Sequence, residues 1–198
     1  MGPRVRHAVL LAATSLLAAT SLLAATRPAH AEALPPGSIG GFVGGVAGTG
    51  ADATTLGAGY VLGAAAAWQP MTTEQRVGWS LKWAIAFATM YGAEAARIES
   101  ELATQQMDLQ VGVRLRPGAS PRRYLTLRAG GALFRTNQVI PDRDDPTRSQ
   151  RAFAGGIASI GIDQHFSFWL LSVDLRYSLI GGGPGGLALV IGGSLTGP

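Results

Sequence analysis

The sequence predicts an all-β protein, an eight-stranded antiparallel up-and-down transmembrane β-barrel preceded by a cleavable signal peptide. Three observations predict it. Long segments alternate large apolar residues with small or polar ones, the period of a strand whose side chains point to two faces. Only 14% of the residues are charged, against about a quarter in soluble domains, too few to wet one face of a sheet this large. The alternating segments number eight, an even count that suits a closed antiparallel barrel.

The N-terminal stretch has its own logic. Arg4, Arg6 and His7 form a basic n-region, Ala8 to Ala25 an apolar run, and Ala29-His30-Ala31 the small-x-small pattern a signal peptidase cuts after. The apolar run could also serve as an uncleaved anchor. Pro28 and the Ala-x-Ala site, standing where a spanning helix would continue, favour cleavage after Ala31. The expected division is residues 1–31 as signal peptide and residues 32–198 as the barrel domain.

Cleavage changes the charge balance. The chain has 16 basic and 12 acidic residues; losing Arg4, Arg6 and Arg27 leaves 13 basic residues and a net charge of +1. The basic character therefore belongs to the leader, and nucleic acid is not an expected partner. With no cysteine, disulfides, thiol catalysis and lipid acylation at a cysteine are excluded.

In chain order, Ile39 to Gly48 is a Gly-rich first strand, of the kind used where backbones approach closely or a sheet curves. Leu56 to Trp68 is the second. Val77 to Tyr91 is the clearest: Val77, Trp79, Leu81, Trp83, Ile85, Phe87 and Tyr91 alternate with Gly78, Ser80, Lys82, Ala84, Ala86, Ala88 and Met90. In Gly92 to Gln106, Ala95, Ile98 and Leu102 recur at helical spacing, so a short helix and a rim extension of the flanking strands are both open. Met107 to Arg116, Tyr124 to Phe134 and Ala152 to Asp163 follow, the last with mixed faces that a bulge at Gly155-Gly156 would explain. Leu170 to Ile180 and the segment from Leu187 to Leu195 complete the eight.

The faces decide between two barrels. A soluble secreted or periplasmic barrel binding a small apolar ligand would turn the large residues inward; a membrane barrel turns them to lipid. The small face is Gly, Ala and Ser, a poor solvent face, and the strands are long enough to cross a bilayer at a tilt. Aromatics gather at strand ends, at Trp68, Trp79, Tyr124, Phe166, Phe168 and Trp169, as interfacial girdles require. The two longest connections, Gly92 to Gln106 and Asn137 to Gln150, fall on one side and the short turns on the other.

On the Gly-rich first strand and on Val173-Asp174-Leu175-Arg176-Tyr177-Ser178 in the seventh, the chain resembles the small eight-stranded outer-membrane barrels of the OmpA/OmpX type. The resemblance covers roughly Ile39 to Pro198 and implies a cell outer-membrane location in a Gram-negative envelope. It implies a monomer with a structural or surface-exposed role, in contact with outer-membrane lipids, lipopolysaccharide and the barrel-assembly machinery. Two departures stand out. The chain ends Leu195-Thr196-Gly197-Pro198 without the terminal aromatic such barrels show to that machinery, and no peptidoglycan-binding domain follows, so no wall-anchoring role is implied.

By parity the lumen holds Lys82, Asp108, Arg114, Arg116, Arg128, Asp174 and Arg176. Eight strands enclose a space that side chains just fill, so these seven residues read first as a plug of ion pairs, with Asp108 and Asp174 the candidate partners of Lys82. Five cations against two anions would also suit a narrow anion-preferring conduit. Catalysis is not expected. Some eight-stranded barrels modify lipid A, and His165-Phe166-Ser167 is similar to the His-x-Ser of the deacylases, but Phe168 stands where they carry Asn. His165 is the only histidine after the leader, and no Walker or dinucleotide motif occurs, so no metal or cofactor is expected. Asp142, Asp144 and Asp145 form a charged loop tip, solvated or loosely calcium-binding.

Overall fold

The computed structural model describes residues 36–49, 56–71, 75–92, 101–118, 120, 122–140, 147–180 and 185–197. The expected leader, residues 1–31, and the loop tip with Asp142, Asp144 and Asp145 lie outside the described residues. Eight strands follow one another: β1 (Gly37–Thr49), β2 (Leu56–Trp68), β3 (Val77–Gly92), β4 (Glu101–Leu115), β5 (Arg123–Ile140), β6 (Thr147–His165), β7 (Trp169–Ile180) and β8 (Gly185–Gly197). Each pairs antiparallel with its neighbours in sequence, and β1 closes on β8 from Gly37↔Gly197 to Thr49↔Gly185. Closure leaves no strand edge to be satisfied, a condition for a sheet in hydrocarbon.

The large residues of the alternation point outward. Val43 is 67% exposed, Leu109 54% and Trp83 44%, while Ser80, Lys82 and Ala84 beside Trp83 in β3 are buried. A sheet with this polarity in water would leave an apolar outer face and a charged core; in a bilayer both faces are matched.

Aromatic pairs bound the apolar belt. Trp68 and Trp79 meet edge to face at the turn end, ring centres 4.5 Å apart, and Tyr60 and Tyr91 meet at 6.5 Å toward the loop end. Trp79 to Tyr91 along one strand, at ~3.4 Å per residue and a tilt of about 40°, spans roughly 30 Å, the thickness of a hydrocarbon core. Phe166 stacks on Trp169 at the β6–β7 turn, and Phe168 beside them is exposed. Tyr124 departs from the girdle expected for it. It lies inside the barrel, buried under the Arg114 guanidinium.

Of the two readings open for Gly92 to Gln106, the rim extension is observed over residues 101–106, so β4 starts six residues before Met107, while Ala95 and Ile98 lie outside the described residues. Two expectations for the strands are corrected. β6 carries no bulge at Gly155-Gly156: its pairing with β5 runs unbroken from Thr147 to Gln164. Its faces look mixed because Ile157 and Phe153 on the lumen side pack with Ala132 and Phe134, so both faces are apolar there. Finally, β5 and β6 reach well past the belt, where Arg135 bonds Gln150 at 3.2 Å on the exposed surface.

The lumen is divided lengthwise. Phe42, Val61, Ala84, Ala86 and Val190, from β1, β2, β3 and β8, form an apolar wall. Facing it are the polar side chains of β4 to β7. The glycines inside the barrel make room for close approaches. A Cβ on Gly63 would meet the Phe42 ring and the Ile85 carbonyl, and one on Gly161 would strike the Asp174 carboxylate. Gly161→Ala is therefore expected to displace Asp174 and cost about 1–3 kcal/mol, the range for overpacked interiors. Urea unfolding of the refolded barrel would measure it; an unchanged midpoint would contradict the packing described.

Candidate functional site

The charged lumen is built around one carboxylate. Asp174 on β7, 1% exposed, accepts from Lys82 Nζ at 2.6 Å, Arg176 Nη2 at 3.4 Å and Arg128 Nη1 at 3.5 Å. Lys82 crosses the lumen from β3 to reach it. Alternation puts Lys82 and Asp174 inside on different strands; closure of the barrel brings them together. Arg128 divides its donors: Nη2 reaches Asp163 at 3.3 Å and Nε reaches Ser80 Oγ at 2.9 Å. A charge-assisted network of this kind is favourable in a low dielectric only while its members stay paired.

Asp108, the other candidate partner of Lys82, sits in a different arrangement. The side-chain amides of Gln106 and Gln110 donate to it at 2.7 Å and 2.6 Å, and Ser159 donates to Gln110 Oε1 at 2.8 Å. Amide donors hold this carboxylate without a cation among the described ion pairs.

A third group closes the turn end. Arg114, fully buried, lays its guanidinium 3.8 Å from the Tyr124 ring centre and bonds His165 Nε2; the His165 and Tyr124 rings meet edge to face at 5.6 Å. A guanidinium only donates, so Nε2 accepts and the ring proton sits on Nδ1. Below them, Gln69 and Met71 from the β2–β3 connection are buried, and Gln69 Nε2 reaches Ser80 Oγ at 3.4 Å. Gln69 and Met71 stopper the lumen at this end.

Of the seven residues expected in the lumen, Lys82, Asp108, Arg114, Arg128, Asp174 and Arg176 are buried inside it. Arg116 follows the end of β4 and is half-buried at the turn end. Asp163 and His165, both on the lumen face of β6, were missed. Their signal was present, since they lie two and six residues from Gly161 and Ser159 on one alternation, but the apolar upper half of β6 obscured it. His165 and Ser167 form no such site as the deacylase resemblance would need: the ring is turned into the barrel onto Arg114, and Ser167 is exposed in the turn. Among the described residues no group of three or more His, Asp or Glu could hold a metal ion.

No family model matches the sequence, and no curated protein matches it. Among solved structures, the barrel is similar to Neisserial surface protein A, with a TM-score of 0.51 at 10% identity, covering 84% of this chain and 100% of that one. It is also similar to Ail, the attachment invasion locus protein of Yersinia pestis, with a TM-score of 0.52 at 13% identity over 83% of this chain and 98% of that one. At such identities the likeness is one of fold. The chain has the fold of the small eight-stranded outer-membrane barrels, as its Gly-rich first strand and seventh strand led one to expect.

Proposed function

We propose that this chain is an integral outer-membrane protein of a Gram-negative envelope, with a structural or surface-exposed role and no catalytic one. The observation that carries the reading is the inverted polarity: a charged, side-chain-filled interior inside an apolar belt bounded by aromatic pairs. The lipids of that membrane, lipopolysaccharide included, cover the belt; the barrel-assembly machinery inserts a monomer after residues 1–31 are removed. Of the two barrels similar in fold, one is a surface protein and the other an attachment protein, which is in keeping with a role for the loops. β5 and β6 are the longest strands, running to Ile140 and from Thr147, so the rim they extend is the foremost surface for contact with partners.

An anion-preferring conduit is the second reading, favoured by four buried cations, Lys82, Arg114, Arg128 and Arg176, against three buried carboxylates. The stopper of Gln69, Met71 and the Arg114 group opposes it; single-channel recording in planar bilayers decides, and steady conductance would establish the pore.

Two measurements test the main reading. The protein should fractionate with the outer membrane and shift on a gel when unheated; a soluble, urea-extractable protein with no shift would overturn it. An epitope placed at Asp144 should be reached by antibody on intact cells and one at Gly118 should not. The reverse result would invert the orientation.

A further inference from the structure

Two buried polar atoms take no part in the network above. Arg176 Nε and Thr104 Oγ1 have no hydrogen-bond partner among the described residues, although both side chains are more than nine-tenths buried. They line the same cavity. It lies in the loop-end half of the lumen, holds about 50 Å³, and its walls are largely apolar, with Val46, Val61, Ala86, Met90 and Phe134 among them.

The other polar groups on the wall are committed. Gln106 donates to Asp108 at 2.7 Å, and Ser178 donates to the Gly186 carbonyl at 3.2 Å. The Arg176 guanidinium carbon lies over the Phe42 ring, 4.0 Å from its centre. Its one carboxylate, Asp174, is shared with Lys82 and Arg128. Four buried cations face three buried carboxylates, so the described lumen carries an excess positive charge.

A cavity of this volume exceeds the ~10–15 Å³ that one water needs, and each buried water wants about three hydrogen bonds. Two free polar atoms on an apolar wall cannot supply several waters. One anionic head with a short apolar body matches the wall better: the head accepts from Arg176 Nε and Thr104 Oγ1, and the body fills the apolar remainder. We infer that the loop-end cavity, lined by Arg176 and Thr104, binds a small organic anion of the short-chain carboxylate class. The volume admits a body the size of acetate and no longer chain.

The test uses the whole barrel, refolded in non-ionic micelles and titrated with acetate, ethylammonium and ethanol, while the Met90 and Thr104 methyl signals are followed by NMR. Acetate should bind saturably, at least tenfold more tightly than ethanol, and ethylammonium should leave both signals in place. Thr104→Val, which keeps the shape and removes the hydroxyl, should weaken acetate several-fold as read at Met90. Ala88→Val, which fills the cavity, should abolish binding, and Arg176→Met should remove the preference for the anion. Each variant is first checked for folding by its gel shift, and Thr104→Val, nearly isosteric, keeps the question open to test if the others do not fold. Equal binding of all three probes, or a linear response without saturation, would overturn the site and leave a water-filled gap.

Discussion

Asp174→Asn is expected to cost about 3–5 kcal/mol of barrel stability, the largest loss of any single lumen substitution. The reason is arithmetic of charge. One carboxylate accepts from Lys82, Arg128 and Arg176, and an amide in its place leaves three cations facing a neutral group in a low dielectric. Arg128 retains Asp163, but Lys82 and Arg176 have no second carboxylate among the described ion pairs. Lys82→Met in the Asp174→Asn background should recover part of the loss, because it removes a buried charge that has lost its partner. Urea titration of the refolded wild type, single and double variants measures the cycle. Strict additivity would show that Lys82 and Asp174 do not interact.

Asp108→Asn should be milder. Its carboxylate is held by the amides of Gln106 and Gln110, so the substitution removes acceptor strength without stranding a cation. The comparison of the two aspartates separates the charge hub from a hydrogen-bonded bracket.

The second large effect concerns the outer face. Ile85 lies midway between Trp79 and Tyr91 on β3 and faces outward. Ile85→Arg is expected to destabilise the barrel by about 2–4 kcal/mol in lipid vesicles, the cost of a guanidinium at the bilayer midplane. Val77→Arg, at an exposed position two residues beyond Trp79, should cost about 0–1 kcal/mol, as near an interface. The depth dependence carries the weight. In water both positions would welcome an arginine, so a near-zero effect at Ile85 would contradict a hydrocarbon surround.

How far the sequence reveals this protein varies along it. β3 is legible end to end, because every lumen position from Ser80 to Ala88 is small or polar and every belt position from Trp79 to Phe87 is large. The same contrast puts Lys82, Arg128, Asp174 and Arg176 inside. It does not reveal that Asp174 is the hub, since pairing across the barrel depends on stagger, and alternation fixes only the face.

The first part of β4 was hidden for a different reason. Leu102 points into the lumen and Gln105 outward to the exposed surface. Gln105 stands opposite Phe87 on the outward face, so the apolar-outward pattern breaks there and ceases to read as this strand. β6 fails in the opposite way: Ile157 and Phe153 make its lumen side apolar, which hid Asp163 and His165 further along. Tyr124 was placed in the girdle by its position at a strand end, whereas its ring serves as the platform for Arg114 inside. Composition at a strand end does not distinguish these two uses of an aromatic; the face does.

The central claim, that the large residues meet lipid, is tested most directly by tryptophan quenching. A variant keeping only Trp83, refolded into vesicles of lipids brominated deep in their acyl chains, should lose most of its fluorescence, while acrylamide in the water leaves it nearly unchanged. A variant keeping only Trp79 should be quenched best by bromines near the headgroups. If aqueous acrylamide quenches Trp83 and the brominated lipids do not, the outer face meets water and the membrane barrel described here is wrong.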